Sequence, residues 1–258
     1  MRLASCWTGN RGGIIATRKK VSTALVTGGS RGIGLATAKY LAAQGVHVVV
    51  LARSAPPRMR GVSFQPIDFR DLERASDILA EVARRHRPDI LVNNLGMTIL
   101  GTIEGGTQSQ LREQLEMNVH SMLACAQAAL PGMKARRYGR IVNVASRSAL
   151  GRQGLTSYGA TKAAVIGFTR GWALELVDTG VTVNCVAPGS VETEMLARNF
   201  PPGSAARKKM LSWIPMGRPA DPREVAFAIA HFASPQAGYT TGQVLYVCGG
   251  ADLGLSPL

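Results

Sequence analysis

The apolar positions of this chain fall in short blocks whose period keeps switching. Val21–Thr27 (VSTALVT) predicts a short buried strand. Ile33–Gln44 then carries apolar residues at helical spacing and stops at Gly45. His47–Ala52 (HVVVLA) is a β-branched run, too short for a helix and suited to a strand covered on both faces. After a loop with two prolines the alternation continues. Strands are predicted at Val62–Ile67, Asp89–Asn93, Arg140–Ala145, Val181–Ala187 and Val244–Val247. Helices are predicted at Leu72–His86, at Gln108–Pro131 with a short second piece to Arg137, at Tyr158–Thr179 and at Pro222–Ala233. No repeat and no long linker interrupts the order. Such alternation predicts an α/β fold, a single Rossmann-like doubly wound parallel sheet of about seven strands with helices on both faces. Ligands then belong beyond the C-terminal strand ends, at a topological switch point. Glu192–Gly217 breaks the pattern, and its proline-rich, basic composition predicts an irregular, mobile segment over the site.

The length of 258 residues suits one catalytic domain over residues 21–258. No apolar run approaches the ~20 residues of a membrane span. Cys6, Cys125, Cys185 and Cys248 are far apart and form no C-x-x-C pair, which points to a reducing cytoplasm rather than a disulfide or metal framework. His47, His86, His120 and His231 lack ligand spacing, so no metal is expected. The formal net charge is +14. Part of it lies in residues 1–20, which lack the apolar core of a signal peptide and read as a disordered basic extension. Such a charge suits acidic partners such as nucleotides or acyl carriers, or is a set of solvated faces. No zinc finger, aromatic RNA-binding signature or basic zipper accompanies it, so nucleic acid is not expected.

Between the first strand and first helix lies Thr27-Gly-Gly-Ser-Arg-Gly-Ile-Gly34. The spacing by itself fits an ordinary glycine-rich turn or a phosphate loop, and its strand–loop–helix setting favours the loop. Small residues let a pyrophosphate approach the backbone at a helix N-terminus. The end of the second strand belongs near the adenosine ribose, where an acid would bind the 2′-hydroxyl of NAD. Arg53 stands there instead, and Arg31 lies in the first loop. Guanidinium groups suit a 2′-phosphate, so NADP(H) is the expected cofactor.

Tyr158-Gly-Ala-Thr-Lys162 puts a phenol and an ammonium on one helix face, and Ser146 lies at the end of the fifth predicted strand. A free phenol ionises only near pH ~10. A nearby ammonium and an oxidised nicotinamide favour the phenolate, which makes a tyrosine a usable proton donor or acceptor.

With these residues in order, the chain from about Val21 to Gly250 resembles the short-chain dehydrogenase/reductase family. The matching motifs are Thr27-Gly28-x3-Gly32-x-Gly34, Asp68, Asn93-Asn94-Leu95-Gly96, Asn118, Ser146, Tyr158-x3-Lys162, and Asn184 with Pro188-Gly189 leading to Thr193. The resemblance implies that Tyr158 is the acid/base, that Ser146 positions the carbonyl oxygen, and that Lys162 favours the phenolate and holds the nicotinamide ribose. It implies that Asn118 holds a water linking Lys162 to solvent. Gly28, Ser30, Arg31, Gly32, Ile33, Gly34, Arg53, Asp68, Asn94, Gly96, Pro188, Gly189 and Thr193, with Tyr158 and Lys162, would contact the cofactor. Within that set Asp68 would accept from the adenine, Asn94 and Gly96 would line the adenosine-side ribose region, and Pro188, Gly189 and Thr193 would hold the carboxamide. Asn93 and Asn184 are expected to be structural, and Cys185 to be core.

Two positions depart from the family pattern. Leu95 replaces the usual alanine of N-N-A-G, and Cys248 replaces the usual aspartate of V-D-G-G near the C-terminus, in a strand that often helps build tetramers. The likeness is greatest to 3-oxoacyl-carrier-protein reductases, which dock an acidic carrier through basic residues near the site entrance. Arg137 matches one such position, and Thr179 stands at the other. The implied substrate is a 3-oxoacyl thioester of a carrier protein or CoA. Another small ketone, sugar or cyclic alcohol, or a silent NADP-binding regulator, remain as alternatives. A homotetramer or dimer is implied.

Overall fold

In the computed structural model, residues 22–253 are described. The basic stretch 1–20, Cys6 and the proposed strand start at Val21 lie outside them. Seven parallel strands form one sheet in the order β3-β2-β1-β4-β5-β6-β7. They are β1 (Thr23–Thr27), β2 (His47–Ala52), β3 (Val62–Pro66), β4 (Ile90–Asn93), β5 (Gly139–Val144), β6 (Val181–Pro188) and β7 (Val244–Val247). The helices are α1 (Gly32–Ala43), α2 (Leu72–His86), α3 (Gln108–Leu115), α4 (Ser121–Ala135), α5 (Thr156–Glu175), α6 (Glu194–Asn199), α7 (Ala205–Leu211) and α8 (Pro222–Ala233).

The central strands are apolar on both faces because both faces are covered. Ala24, Val26, Val48, Val50, Val142 and Val186 face a layer formed with α1 and α8. Leu25, Val49, Leu51, Leu91, Ile141 and Val183 face the opposite layer, with α2, α4 and α5. Each fully buried Val or Leu contributes roughly 1.5–3 kcal/mol of transfer free energy. The chain runs outward from β1 through β2 to β3, then returns to place β4 on the other side of β1. The crevice beyond the ends of β1 and β4 is therefore the switch point.

The expected Gln108–Pro131 helix is broken. A π-turn over Glu116–His120 separates α3 from α4, and α4 continues through Pro131 to Ala135. A 3-10 turn, Arg147–Leu150, follows β5. Helix α5 begins at Thr156 and ends at Glu175, rather than running from Tyr158 to Thr179. The segment expected to be irregular contains α6 and α7, capped by Thr193 and Ser204, whose hydroxyls accept the N–H groups of Leu196 and Arg207.

Candidate active site

The loops after β1 and β4 are stitched together by one threonine and one asparagine. The hydroxyl of Thr27 accepts the N–H groups of Asn94 at 3.0 Å and Leu95 at 2.9 Å. The Asn94 amide donates to the carbonyls of Thr27 at 2.9 Å and Gly28 at 3.3 Å. Asn94 thus builds the glycine loop from behind. Gly28 takes the left-handed conformation at φ +64°. A Cβ on Gly34 would lie 2.4 Å from the Gly28 carbonyl oxygen and 2.5 Å from the Asn94 amide nitrogen, so any other residue there must displace the loop.

This packing leaves the start of α1 bare. Arg31 occupies the cap position in extended conformation, and no side chain among the described residues caps the helix. The starts of α2, α3, α6, α7 and α8 are each capped by a side-chain oxygen. Free N–H groups with no acid in the first turn, behind glycines, could hold an anionic phosphate. Ser30 is half-buried in this loop, and Ile33 packs partly against the α1–α8 core layer. Gly32 lies against Thr193, whose methyl carbon would be 3.4 Å from an added Cβ, so the start of α6 lies beside the glycine loop.

Arg31 and Arg53 are exposed on the rim, after β1 and β2. Asp68, after β3, is held by Arg70: the Nε atom donates to both carboxylate oxygens at 3.0 Å, and the Nη2 atom adds an ion pair. Arg70, with a smaller contribution from Arg53, lowers the Asp68 carboxyl to about 2. The residue is therefore a carboxylate throughout the physiological range. Arg70 carries no motif signal in the sequence, and only the turn after β3 brings it onto Asp68.

The second half of the site sits beyond β5. Ser146 follows Ala145 in extended conformation, and its hydroxyl oxygen accepts the Ser148 N–H at 3.1 Å. The hydroxyl proton stays available to donate. Helix α5 packs tightly on this turn: a Cβ on Gly159 would lie 2.7 Å from the Ser148 carbonyl oxygen. That contact, one residue from Tyr158, draws the start of α5 against the serine turn. Nothing in the sequence marks Gly159 for this role, since it acts by lacking a side chain.

Lys162 is 3% exposed, and its ammonium donates to the Val144 carbonyl at 2.9 Å. It lies 5.9 Å from the Tyr158 ring centroid. An added Cβ on Gly96 would be 3.1 Å from that ammonium and 3.2 Å from Asn118 Oδ1. Gly96 therefore sits beside Lys162 and Asn118, at the phenol–ammonium half of the site, rather than lining only the adenosine side. The Asn118 amide donates to the Met97 carbonyl at 3.0 Å and the Thr161 hydroxyl at 2.9 Å, and its Oδ1 accepts the Met97 N–H at 2.7 Å. Thr161 in turn donates to the Tyr158 carbonyl at 2.9 Å. Both amide hydrogens of Asn118 are thus occupied, and any water it holds must use the remaining Oδ1 lone pair or the backbone carbonyl. The π-turn that contains Asn118 is a device often found at functional sites.

Asn93 donates to Asn143 at 2.9 Å, and Asn184 donates to the Thr240 carbonyl at 2.8 Å, within the framework. Pro188 ends β6, and Gly189 passes so close to Cys248 that a Cβ would be 2.8 Å away. The Cys248 thiol donates to Asp252 at 2.9 Å. Leu95 packs partly against the α2–α4–α5 layer, where the loop accommodates its bulk. Cys185 is fully buried, and desolvation pushes its thiol up to about 11. Among the described residues no group of three His, Cys, Asp or Glu is placed to hold a metal, and no helix is long and apolar enough to cross a membrane.

A family model described as enoyl-(acyl carrier protein) reductase matches residues 28–252. The 3-oxoacyl-[acyl-carrier-protein] reductase FabG of Vibrio cholerae is 39% identical over 237 residues, covering 88% of this chain and 96% of that protein. The chain belongs to the short-chain dehydrogenase/reductase family. It is an oxidoreductase of that family. A dehydrogenase subunit of Thauera aromatica, named for a substituted succinyl-CoA, is 37% identical and covers 89% of this chain and 96% of its own. Among solved structures of the family, ElxO with NADP bound superposes with a TM-score of 0.84 at 30% identity, over 89% of this chain and 98% of that one. A 3-oxoacyl (acyl-carrier-protein) reductase of Agrobacterium tumefaciens, also with NADP bound, gives 0.81 at 29% identity over 88% and 93%.

Proposed function

We propose that the protein is an NADP(H)-dependent reductase that converts a carbonyl to a secondary alcohol, with a 3-oxoacyl thioester of a carrier protein or CoA as substrate. One observation carries this reading. Ser146, Tyr158 and Lys162 are gathered at the same sheet edge as an uncapped, glycine-lined helix start. The bare α1 terminus, with Gly28, Ser30, Gly32, Ile33 and Gly34, would take the pyrophosphate. Arg31 and Arg53 would take the 2′-phosphate, and Asp68 the adenine. Asn94 and Gly96 support the loop between the two halves, and Pro188, Gly189 and Thr193 would hold the carboxamide of the nicotinamide. When bound, NADPH supplies a hydride to the carbonyl carbon.

The chain's own residues do the rest. Ser146 donates its free hydroxyl proton to the carbonyl oxygen and fixes its position. Tyr158 releases its phenolic proton to that oxygen as negative charge develops there. The buried Lys162 ammonium balances the charge left on the phenol. Asn118 and Thr161 lock the α5 start and the Met97 loop into one geometry.

The thioester assignment rests on the relatives, whose names cover carrier-bound 3-oxoacyl and CoA substrates. Arg137 lies before β5, whereas Ser146 lies after it. Roughly 20 Å of strand separates them at 3.3 Å per residue. Arg137 donates to the Asp178 carbonyl at 2.8 Å, so it stands at the far edge of its own sheet rather than at its own site entrance. A carrier docking on Arg137 would serve a site on another protomer, which accords with a homotetramer or dimer. Exposed Phe227, Tyr239 and Leu245 on α8, its following turn and edge strand β7 offer an apolar face for such contact. A single catalytic domain over 21–258 and a cytoplasmic setting complete the reading.

The test is NADPH oxidation against 3-oxoacyl thioesters, enoyl thioesters, and simple and cyclic ketones. Turnover confined to enoyl thioesters would replace the carbonyl reading with double-bond reduction. Tight NADPH binding without turnover would favour a regulator. For the cofactor, Arg31→Ala with Arg53→Ala is expected to lower kcat/KM for NADPH roughly 10- to 100-fold while changing that for NADH little, because two charge-assisted contacts are lost. A wild-type preference for NADH would contradict the assignment.

A further inference from the structure

Beside Ser146 lies a small cavity of about 40 Å³, between the turn after β5, the β6–α6 loop and α7. Arg147 and Arg152 line it, with Trp213 and Met210 on the α7 side, and no carboxylate lines it. Neither arginine has an ion-pair partner among the described residues. Both are half-buried. The Arg152 guanidinium lies 5.8 Å from the Trp213 ring centroid, and Lys209 approaches the same ring at 6.0 Å. Three cations thus gather at one end of the site, and none of them forms an ion pair among the described residues. Burial, and secondarily the Arg147 charge, push Arg152 below the ordinary guanidinium range, though such a group stays protonated. The cavity is narrow, and its innermost space beside the arginines suits a group the size of a few waters.

The geometry points to a specificity pocket in which Arg147 and Arg152 hold a compact anionic group of the substrate, a carboxylate carried on the acyl part close to the reacting carbonyl. The inference rests on the carbonyl-reductase reading and narrows its substrate class to oxoacyl compounds with a free acid. Guanidinium forks match a carboxylate in shape and charge. An anion there relieves the repulsion between the two arginines, and a neutral alkyl chain would leave them desolvated and unpaired. A phosphate of the CoA arm shares the chemistry. The cavity borders Ser146 itself, however, so an anion there must be attached near the carbonyl rather than at the far end of a long arm.

N-acetylcysteamine thioesters, which carry no phosphate, separate the sources. The full-length protein with NADPH is assayed on the thioester of 3-oxohexanoic acid and on the monothioester of 3-oxohexanedioic acid. The acid-bearing compound is expected to show kcat/KM at least about tenfold higher, the scale of one charge-assisted contact. In Arg152→Met that ratio is expected to collapse to within about twofold, with Arg152→Lys between the two. A wild-type preference for the neutral compound, or a ratio that survives Arg152→Met, overturns the pocket. The CoA thioester of 3-oxohexanoic acid is assayed alongside, and a loss in Arg152→Met confined to it assigns the anion to the CoA phosphates and overturns the carboxylate. If neither thioester turns over, the thioester assignment fails, and adipate quenching of Trp213 fluorescence decides the pocket, with Trp213→Phe identifying the signal. Saturable quenching lost in Arg152→Met supports it, and no saturable quenching overturns it.

Discussion

Tyr158→Phe is expected to lower kcat about a thousandfold while leaving the NADPH dissociation constant within about threefold of wild type. The change deletes one oxygen from a half-buried ring at the start of α5 and leaves the ring's packing in place. Proton transfer by a positioned group contributes typically 10²–10⁴-fold, and Tyr158 is the group proposed to supply it. The framework should survive. Lys162 is anchored on the Val144 carbonyl rather than on the phenol, and Asn118 and Thr161 hold the backbone of α5. Ser146→Ala should cost less, because it removes a hydrogen bond to the carbonyl and not the proton itself. Steady-state kinetics with a fluorescence titration of NADPH separates the two effects. Equal kcat in Tyr158→Phe would remove the assigned mechanism, and a large loss of cofactor affinity would make the residue chiefly a binding group.

Gly34→Ala should be the most damaging single methyl in the cofactor half. The added carbon would have to occupy a point 2.4 Å from the Gly28 carbonyl oxygen, and backbone, not a flexible side chain, must yield. Overpacking of this kind costs about 1–3 kcal/mol. At this chain length that lowers the melting temperature by roughly 3–10 °C. The displaced loop is the one that presents the bare α1 terminus, so NADPH affinity should fall about 30-fold or more. Gly171→Ala is the control. It is helical, an added Cβ meets nothing within 4 Å, and its φ is not positive, so it should be neutral or stabilise by roughly 0.5–1 kcal/mol. Thermal unfolding and cofactor titration of both variants check the pair. Unchanged affinity in Gly34→Ala would mean that the glycine loop does not hold the cofactor.

What the sequence showed and what it hid follow from where each signal resides. The bounds of α2 and α8 were readable because their stop and start chemistry is local. Asp71 and Asp221 cap them, and Pro222 opens α8. The strands were readable because a sheet covered on both faces leaves unbroken apolar runs. The break at Glu116–His120 was hidden, since no Gly or Pro marks it. Asn118 is held there by Met97 and Thr161, partners 21 and 43 residues away. Helices α6 and α7 were missed although Thr193 and Ser204 were legible caps, because the surrounding prolines and lysines read as a loop. Tyr158, Lys162 and Ser146 stood out by spacing. The residues that aim them did not: Gly159 acts by lacking a side chain, and Thr161 acts by accepting a hydrogen bond from Asn118, 43 residues away. Arg147 and Arg152 carry no signal in the sequence because only the fold brings both to one cavity wall.

The central claim is that the glycine loop and the Ser146–Tyr158–Lys162 group form one site for carbonyl reduction. It is tested most directly by following the label from NADPH deuterated at C4 into a 3-oxobutyryl thioester, with the product read by NMR. The account predicts one deuterium on the carbon that bears the new hydroxyl, formed by the wild-type protein and nearly absent with Tyr158→Phe. Recovery of unlabelled thioester from protein saturated with NADPH would contradict it.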